Sequence, residues 1–295
     1  MKINWFPGHM NSALNMMEKE MKNVDIIIYV LDSRAPFSCL NPSFDKIASK
    51  RPVIYVLSKS DLANEVETEY WKSYFSKKEN SACVTINSTV SGSAKVIKSL
   101  MKEMLSKKTE WNKRKGLNIP FRAMVIGVPN SGKSTLINNL ASKGKTVTGD
   151  KPGVTRGKQW VAIEDNINLL DTPGTLWPDI TDEIVGTRLA YIGSIKNEVL
   201  DIATLGLEFI KTLMEMNKSL LENRYKIEIK NQEPLEVFED ICQKRGFISK
   251  GREVDYERGA IGIIDDFRKG RIGRITLDER KWEENWANQT TCRVW

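Results

Sequence analysis

Residues 121–136 read Phe-Arg-Ala-Met-Val-Ile-Gly-Val-Pro-Asn-Ser-Gly-Lys-Ser-Thr-Leu. An apolar strand over 123–126 runs into Gly127-x-x-x-x-Gly132-Lys133-Ser134, and a helix then opens through Leu136 and Ile137. The two glycines free the backbone to curl, so that Pro129, Asn130, Ser131, Gly132, Lys133, Ser134 and Thr135 wrap an anion at a helix N-terminus. Lys133 reaches the outer phosphates and the Ser134 hydroxyl is of the type that holds Mg²⁺. A ligand-free glycine-rich turn is the plainer reading, but strand, loop and helix in this order give a phosphate loop the context it needs.

The rest of the composition is compatible with such a site. A length of 295 residues suggests two domains and a real core. The formal charge of +7 is unevenly spread. Residues 95–122 hold nine Lys or Arg against Glu103 and Glu110, and residues 244–274 hold nine against five acids. Cys39, Cys83, Cys242 and Cys292 lack C-x-x-C spacing, which argues for a reducing compartment and against zinc. The apolar run 26–31 is too short to span a bilayer and the first residues have no signal-peptide pattern, so a cytoplasmic protein without membrane contact is expected.

Outward from the loop, apolar spacing predicts a helix at 10–22, strands at 24–32, 52–57 and 82–86, a helix at 65–76 and a long basic helix at 93–108 followed by a linker at 112–118. Beyond the loop come Pro152-Gly153-Val154-Thr155-Arg156-Gly157 and strands at 159–164 and 167–170. Strands alternating with helices imply an α/β domain with a mostly parallel sheet and ligands at the strands' carboxyl ends. From about residue 180 the pattern is helical. Residues 1–180 are therefore expected to form the nucleotide domain and 181–295 a small all-helical domain.

The motifs all fall at predicted strand ends. Asp171 in Asp171-Thr172-Pro173-Gly174 is the expected second Mg²⁺ anchor, the Gly174 N–H faces the γ-phosphate, and Thr155 would meet the Mg²⁺ only while that phosphate is present. Asp61 can accept two hydrogen bonds from guanine N1–H and N2–H₂, with Lys59 over the ring, so GTP and GDP are inferred over adenine nucleotides. A helix N-cap is the alternative role for Asp61.

The order of these motifs is the unusual feature, because Ser58-Lys59-Ser60-Asp61 and Asn87-Ser88 precede the phosphate loop. The chain resembles a circularly permuted P-loop GTPase, and specifically the bacterial ribosome biogenesis GTPase A family, through WFPGHM, DSRAPFSCLNP, GVPNSGKST, PGVTRG, DTPGTLWP, LLENRYKI and DFRKGRIGRITL. The resemblance implies a GTPase that is slow alone and acts late in large-subunit assembly through rRNA and ribosomal proteins, with Ser58, Lys59, Asp61, Asn87 and Ser88 around the base. The family usually has Asn at Ser58, a loss of about 1 kcal/mol if one hydrogen bond goes missing. Thr175 stands where many small GTPases carry a water-orienting Gln and is too short for that task. His9, the lone histidine, either orients the attacking water or only starts a helix. In similar GTPases the residue at Asn130 helps hold K⁺, and the resemblance extends that role here. Residues 95–115 with Trp111, and 244–274, are either RNA surfaces or solvated faces. A small-molecule ATPase or kinase and a non-hydrolysing RNA-binding scaffold are the rival readings. A monomer is expected.

Overall fold

The computed structural model describes residues 8–44, 51–87, 92, 95–141, 159–163, 166–177 and 180–280, with the side chains of His9 and Gln159 outside that description. The described residues form two compact units, one comprising residues 181–275 and the other the described residues before 181 together with 276–280.

The larger unit is built on six strands: β1 (Ile26–Asp32), β2 (Val53–Ser58), β3 (Ser81–Ile86), β4 (Phe121–Ile126), β5 (Gln159–Ile163) and β6 (Ile167–Asp171). Their spatial order is β3-β2-β1-β4-β6-β5, all neighbours parallel except the β5–β6 hairpin. Every residue of β1 and β2 is buried, as β-branched strands covered on both faces should be. Alternation divides their side chains between two layers. Ile26, Ile28, Val30, Ile54, Val56, Ala123 and Val125 face Ile97, Met101, Leu136, Ile137 and Leu140. On the other face, Tyr29 stacks on Tyr55 at 5.7 Å and Tyr55 on Phe75 at 4.7 Å.

β1 leads outward to β2 and β3, whereas β4 leads the opposite way to β6 and β5. The crevice between the carboxyl ends of β1 and β4 is therefore the topological switch point, where open α/β sheets bind ligands. The phosphate loop leaves β4 at that point. The Ser58–Asp61 loop leaves β2, one strand away, although it lies earlier in the chain.

Two expectations are modified. The long basic helix is two helices, Lys95–Met104 and Ser106–Arg114, and the second takes in the start of the predicted linker. Leu105 at the junction is turned into the core, while Leu105 N–H still bonds Met101 O and Thr109 N–H bonds Leu105 O, so the axis bends with little loss of hydrogen bonding. The helical unit also ends earlier than residue 295 would suggest. Leu277 N–H donates to Arg34 O at 2.7 Å, and Asp278, fully buried, accepts from the Ser38 N–H and hydroxyl at 2.7 Å each. Trp71 Nε1 donates to Asp278 O at 2.6 Å. A buried carboxylate needs such partners, and the loop after β1 supplies them.

The smaller unit has helices at Glu183–Tyr191, Ile202–Asn217, Ser219–Tyr225, Pro234–Arg245 and Tyr256–Arg268. Tyr191, Phe209 and Phe267 pack ring to ring at 4.5 and 5.0 Å. Asp266, 3 % exposed, accepts from Arg224 Nε at 2.9 Å, Arg271 Nη1 at 3.0 Å and the Tyr225 hydroxyl at 3.3 Å. Arg268 donates to Tyr191 O and Ala190 O, closing the end of the first helix. Arg268 thus serves the interior and Arg271 bonds the buried Asp266 from the surface, while the exposed cations of this region are Lys244, Arg245, Lys250, Arg252, Arg258, Lys269, Arg271 and Arg274. Asp266→Ala removes the buried carboxylate shared by Arg224, Arg271 and the Tyr225 hydroxyl and is expected to destabilise the unit by about 1–3 kcal/mol, read as a lowered denaturant midpoint. Among the described residues no helix is long and apolar enough to cross a membrane.

Candidate functional site

The phosphate loop is held by its neighbours before any ligand arrives. Gly127 has φ 152°, and a Cβ there would lie 2.4 Å from Val30 O, so only glycine lets β4 turn beside β1. Asn130 adopts the left-handed region at φ 58°, a conformation that asparagine tolerates better than most residues. Lys133 is 6 % exposed, its Nζ donating to Val128 O at 2.8 Å and Gly127 O at 3.1 Å. Burial pushes its pKa down to about 8 while Asp171 opposes the shift. Ser134 and Thr135 are exposed at the helix start.

The Ser58–Asp61 segment, expected to read the base, closes against this loop from β2. The Ser58 hydroxyl lies 2.6 Å from Ser131 O and 3.0 Å from Leu31 O, its one proton serving one of them at a time. Serine at this position therefore ties three strands' ends together, a function that the expected loss of a hydrogen bond did not include. Lys59, left-handed at φ 54°, donates from Nζ to Asn130 O at 2.7 Å and to Asp32 Oδ2 at 2.8 Å. Residues 71 positions apart in the chain are thereby joined into one site. Asp61 is exposed in a short 3-10 turn, Ser60–Leu62. The helix that follows, Glu65–Ser76, is capped by Asn64, whose side chain accepts from Glu67 N–H at 3.1 Å. The N-cap role proposed for Asp61 thus belongs to Asn64. Asn87 follows β3, next to the end of β2.

Asp32 and Arg34 complete the site and received no role from the sequence. Asp32 Oδ1 accepts from Arg34 N at 3.1 Å and Nε at 2.9 Å, while Oδ2 accepts from Arg34 Nη2 and Lys59 Nζ at 2.8 Å each. Burial works against the Asp32 charge, yet Lys59 and Arg34 outweigh it and hold the carboxyl well below its ordinary range. Asp32→Asn leaves both cations without a counter-charge and is expected to cost about 3–5 kcal/mol at neutral pH. Because the folded-state value is depressed, that contribution is complete above the unfolded pKa, about 4, and is lost as pH falls below it. Denaturation of both proteins from pH 7 downward should show the gap between them narrowing only below about pH 4. An aspartate closing an apolar strand, with arginine two residues on, was the available signal.

The third wall follows β6. A Cβ at Gly174 would lie 2.7 Å from Pro129 Cα and 2.8 Å from Lys133 Nζ, so this glycine lets the Asp171–Gly174 loop touch the phosphate loop. Thr172 Oγ1 donates to Val125 O at 2.6 Å. Burial raises the Asp171 pKa, opposed by Lys133, and its Oδ1 is buried without a hydrogen-bond partner. Ser33 Oγ, Ser131 Oγ and Thr175 Oγ1 are likewise buried and unpaired. Buried polar atoms are normally satisfied, and these four orphans gather at the ends of β1, β4 and β6, around the phosphate loop. Thr175 itself is fully buried behind the phosphate loop, its N–H 3.4 Å from Gly127 O. Met10 Sδ accepts from Leu176 N–H at 3.5 Å, which brings the first helix, Gly8–Glu20, beside the same loop. The His9 side chain, Ser88 and Thr155 lie outside the described residues.

Known proteins share this architecture. The family described as 50S ribosome-binding GTPase matches residues 122–238. Ribosome biogenesis GTPase A of Bacillus licheniformis is 38 % identical over 283 residues, 95 % of this chain and 99 % of that protein. Its counterpart from Thermotoga maritima is 29 % identical over 277 residues, 94 % of each chain. The GDP-bound structure of TM YlqF aligns at TM-score 0.64 and 28 % identity, covering 90 % of this chain and 99 % of that one. GNP-bound YlqF from T. maritima aligns at 0.63, covering 91 % and 98 %. With identity of this level across nearly the whole of both chains, the protein is a GTPase that belongs to the ribosome biogenesis GTPase A family.

Proposed function

We propose that this protein is a GTP-hydrolysing switch that binds the large ribosomal subunit, through rRNA and ribosomal proteins, at a late step of its assembly. The observation that carries the nucleotide half is the Lys59 bond to Asn130 O, which sets the base reader and the phosphate loop at one bonding distance despite the permuted chain order. The ribosomal half rests on the relatives' name and on the match to a 50S ribosome-binding family. It is a cytoplasmic monomer in this reading.

In this account Asp61, Lys59, Ser58, Asn87 and Ser88 surround the guanine, and Asn130 to Thr135 wrap the phosphates. Lys133 leaves the Gly127 and Val128 carbonyls to meet the β- and γ-oxygens, where its charge offsets the charge developing in the transition state. A bound Mg²⁺ would supply further neutralisation there. Ser134, Thr155 and Asp171 are the residues to hold it, and the unpaired Asp171 Oδ1 beside the phosphate loop fits such an ion. Asn130 would help hold K⁺. His9 orients the attacking water, a role supported by its neighbour Met10 lying against Leu176, two residues past Gly174. The Gly174 N–H senses the γ-phosphate, and the helical unit follows within a few residues.

The test is co-sedimentation with purified large subunits. Binding in the presence of a non-hydrolysable GTP analogue and release with GDP is expected. Equal binding in both states would reduce the protein to a scaffold, and no binding in either would end the ribosomal reading. A small-molecule ATPase would instead show ATP displacing labelled GTP on equal terms.

A further inference from the structure

The helix Ser106–Arg114 has one face turned inward and one that meets solvent. Asn112 is buried, and Thr109 Oγ1 bonds Leu105 O on that inner side. Trp111 points the other way and is 54 % exposed. At about 100° per residue, Lys107 and Arg114 fall some 40–60° to one side of the indole and Lys108 and Lys115 the same distance to the other. Lys108 also pairs with Asp25 at the head of β1, which fixes the helix to the sheet. Glu110 is the sole acidic residue of the stretch and lies 4.0 Å from Arg114, both side chains largely exposed, a pairing that is weak in water. Beyond the helix, Leu117 N–H bonds Asn112 O at 2.9 Å, and Leu117 and Ile119 are exposed.

We propose that this face is an RNA contact of the nucleotide-binding unit, in which Trp111 stacks on an unpaired base while Lys107, Arg114 and Lys115 hold the phosphates on either side. The inference rests on the ribosomal reading above and adds the form of RNA and the residues that take it. Charge selects a polyanion, and the aromatic selects its form. A duplex keeps its base faces stacked on one another, leaving an exposed indole nothing to pair with, whereas a single strand offers a ring per nucleotide. Lysine and arginine flanking an aromatic provide both terms at once.

The experiment measures anisotropy of a labelled unpaired 12-nucleotide RNA and of a fully paired hairpin with the full-length chain. Trp111→Ala is expected to weaken the unpaired RNA about tenfold, Trp111→Phe to keep most of the binding, and Lys107→Glu with Arg114→Glu to lower the salt slope by about two. Unaltered basal GTP hydrolysis in each variant reports an intact fold. Binding of unpaired RNA that ignores Trp111→Ala, or equal affinity for the hairpin, overturns the proposal. Loss of subunit binding in Trp111→Ala with RNA affinity unchanged also overturns it, reassigning the face to a ribosomal protein. Absence of subunit binding in the wild type, with Trp111-dependent RNA binding retained, would count against the ribosomal reading alone.

Discussion

Lys133→Ala is expected to lower GTP turnover by about 10²–10³-fold, the scale set by removing one preorganised charge donor from a transition state. The lysine is almost entirely buried, and among the described residues its Nζ donates to the Gly127 and Val128 carbonyls. Burial at the cost of a pKa near 8 makes sense for a cation whose proper partner is a dense anion. Its nearest acidic neighbour, Asp171, is itself destabilised by burial and holds one oxygen unpaired, so the protein's own groups do not complete the neutralisation. Steady-state hydrolysis, with circular dichroism to confirm that the variant is folded, is the check. A rate within threefold of the wild type would mean that the loop does not hold the reacting phosphates.

Asp61→Asn is expected to reduce GTP affinity by roughly 10³-fold and to raise affinity for xanthosine triphosphate over that of the wild type. The carboxylate offers two acceptors to the N1–H and N2–H₂ of guanine. An amide replaces one acceptor by a donor, which faces the guanine amino group unfavourably but matches the carbonyl that xanthine carries there. The substitution is expected to leave the fold intact, since Asp61 is exposed and Asn64 caps the neighbouring helix. Competition against a labelled guanine nucleotide reads both changes. If the substitution weakens GTP and leaves xanthosine triphosphate equally poor, Asp61 does not read the base.

Much of this was legible in the sequence for local reasons. The strands announce themselves because β1 and β2 are buried on both faces, so their residues are apolar without alternation. The phosphate loop is legible because its glycines answer to backbone geometry, the close approach of Gly127 to Val30 O above all. What stayed hidden depends on partners distant in sequence. The Asp32–Lys59 pair spans 27 positions and the Ser38–Asp278 bonds span 240. No periodicity reports such contacts. Residues 244–274 carry charge that reads as an RNA surface, yet Asp266, Arg268 and Arg271 use theirs to close the helical unit, and the residues that follow return to the loop after β1. Ser58 was read as a weakened base contact because its bond to Ser131 O crosses from one strand end to another.

The measurement that bears most directly on the account is GTP hydrolysis by the full chain in KCl, with and without purified large ribosomal subunits, repeated with NaCl in place of KCl. Slow turnover alone, a large stimulation by the subunit and a loss of rate in NaCl are predicted. Turnover that the subunit does not change, in a protein that binds GTP normally, would contradict the assembly-switch reading and leave a GTPase whose partner lies elsewhere.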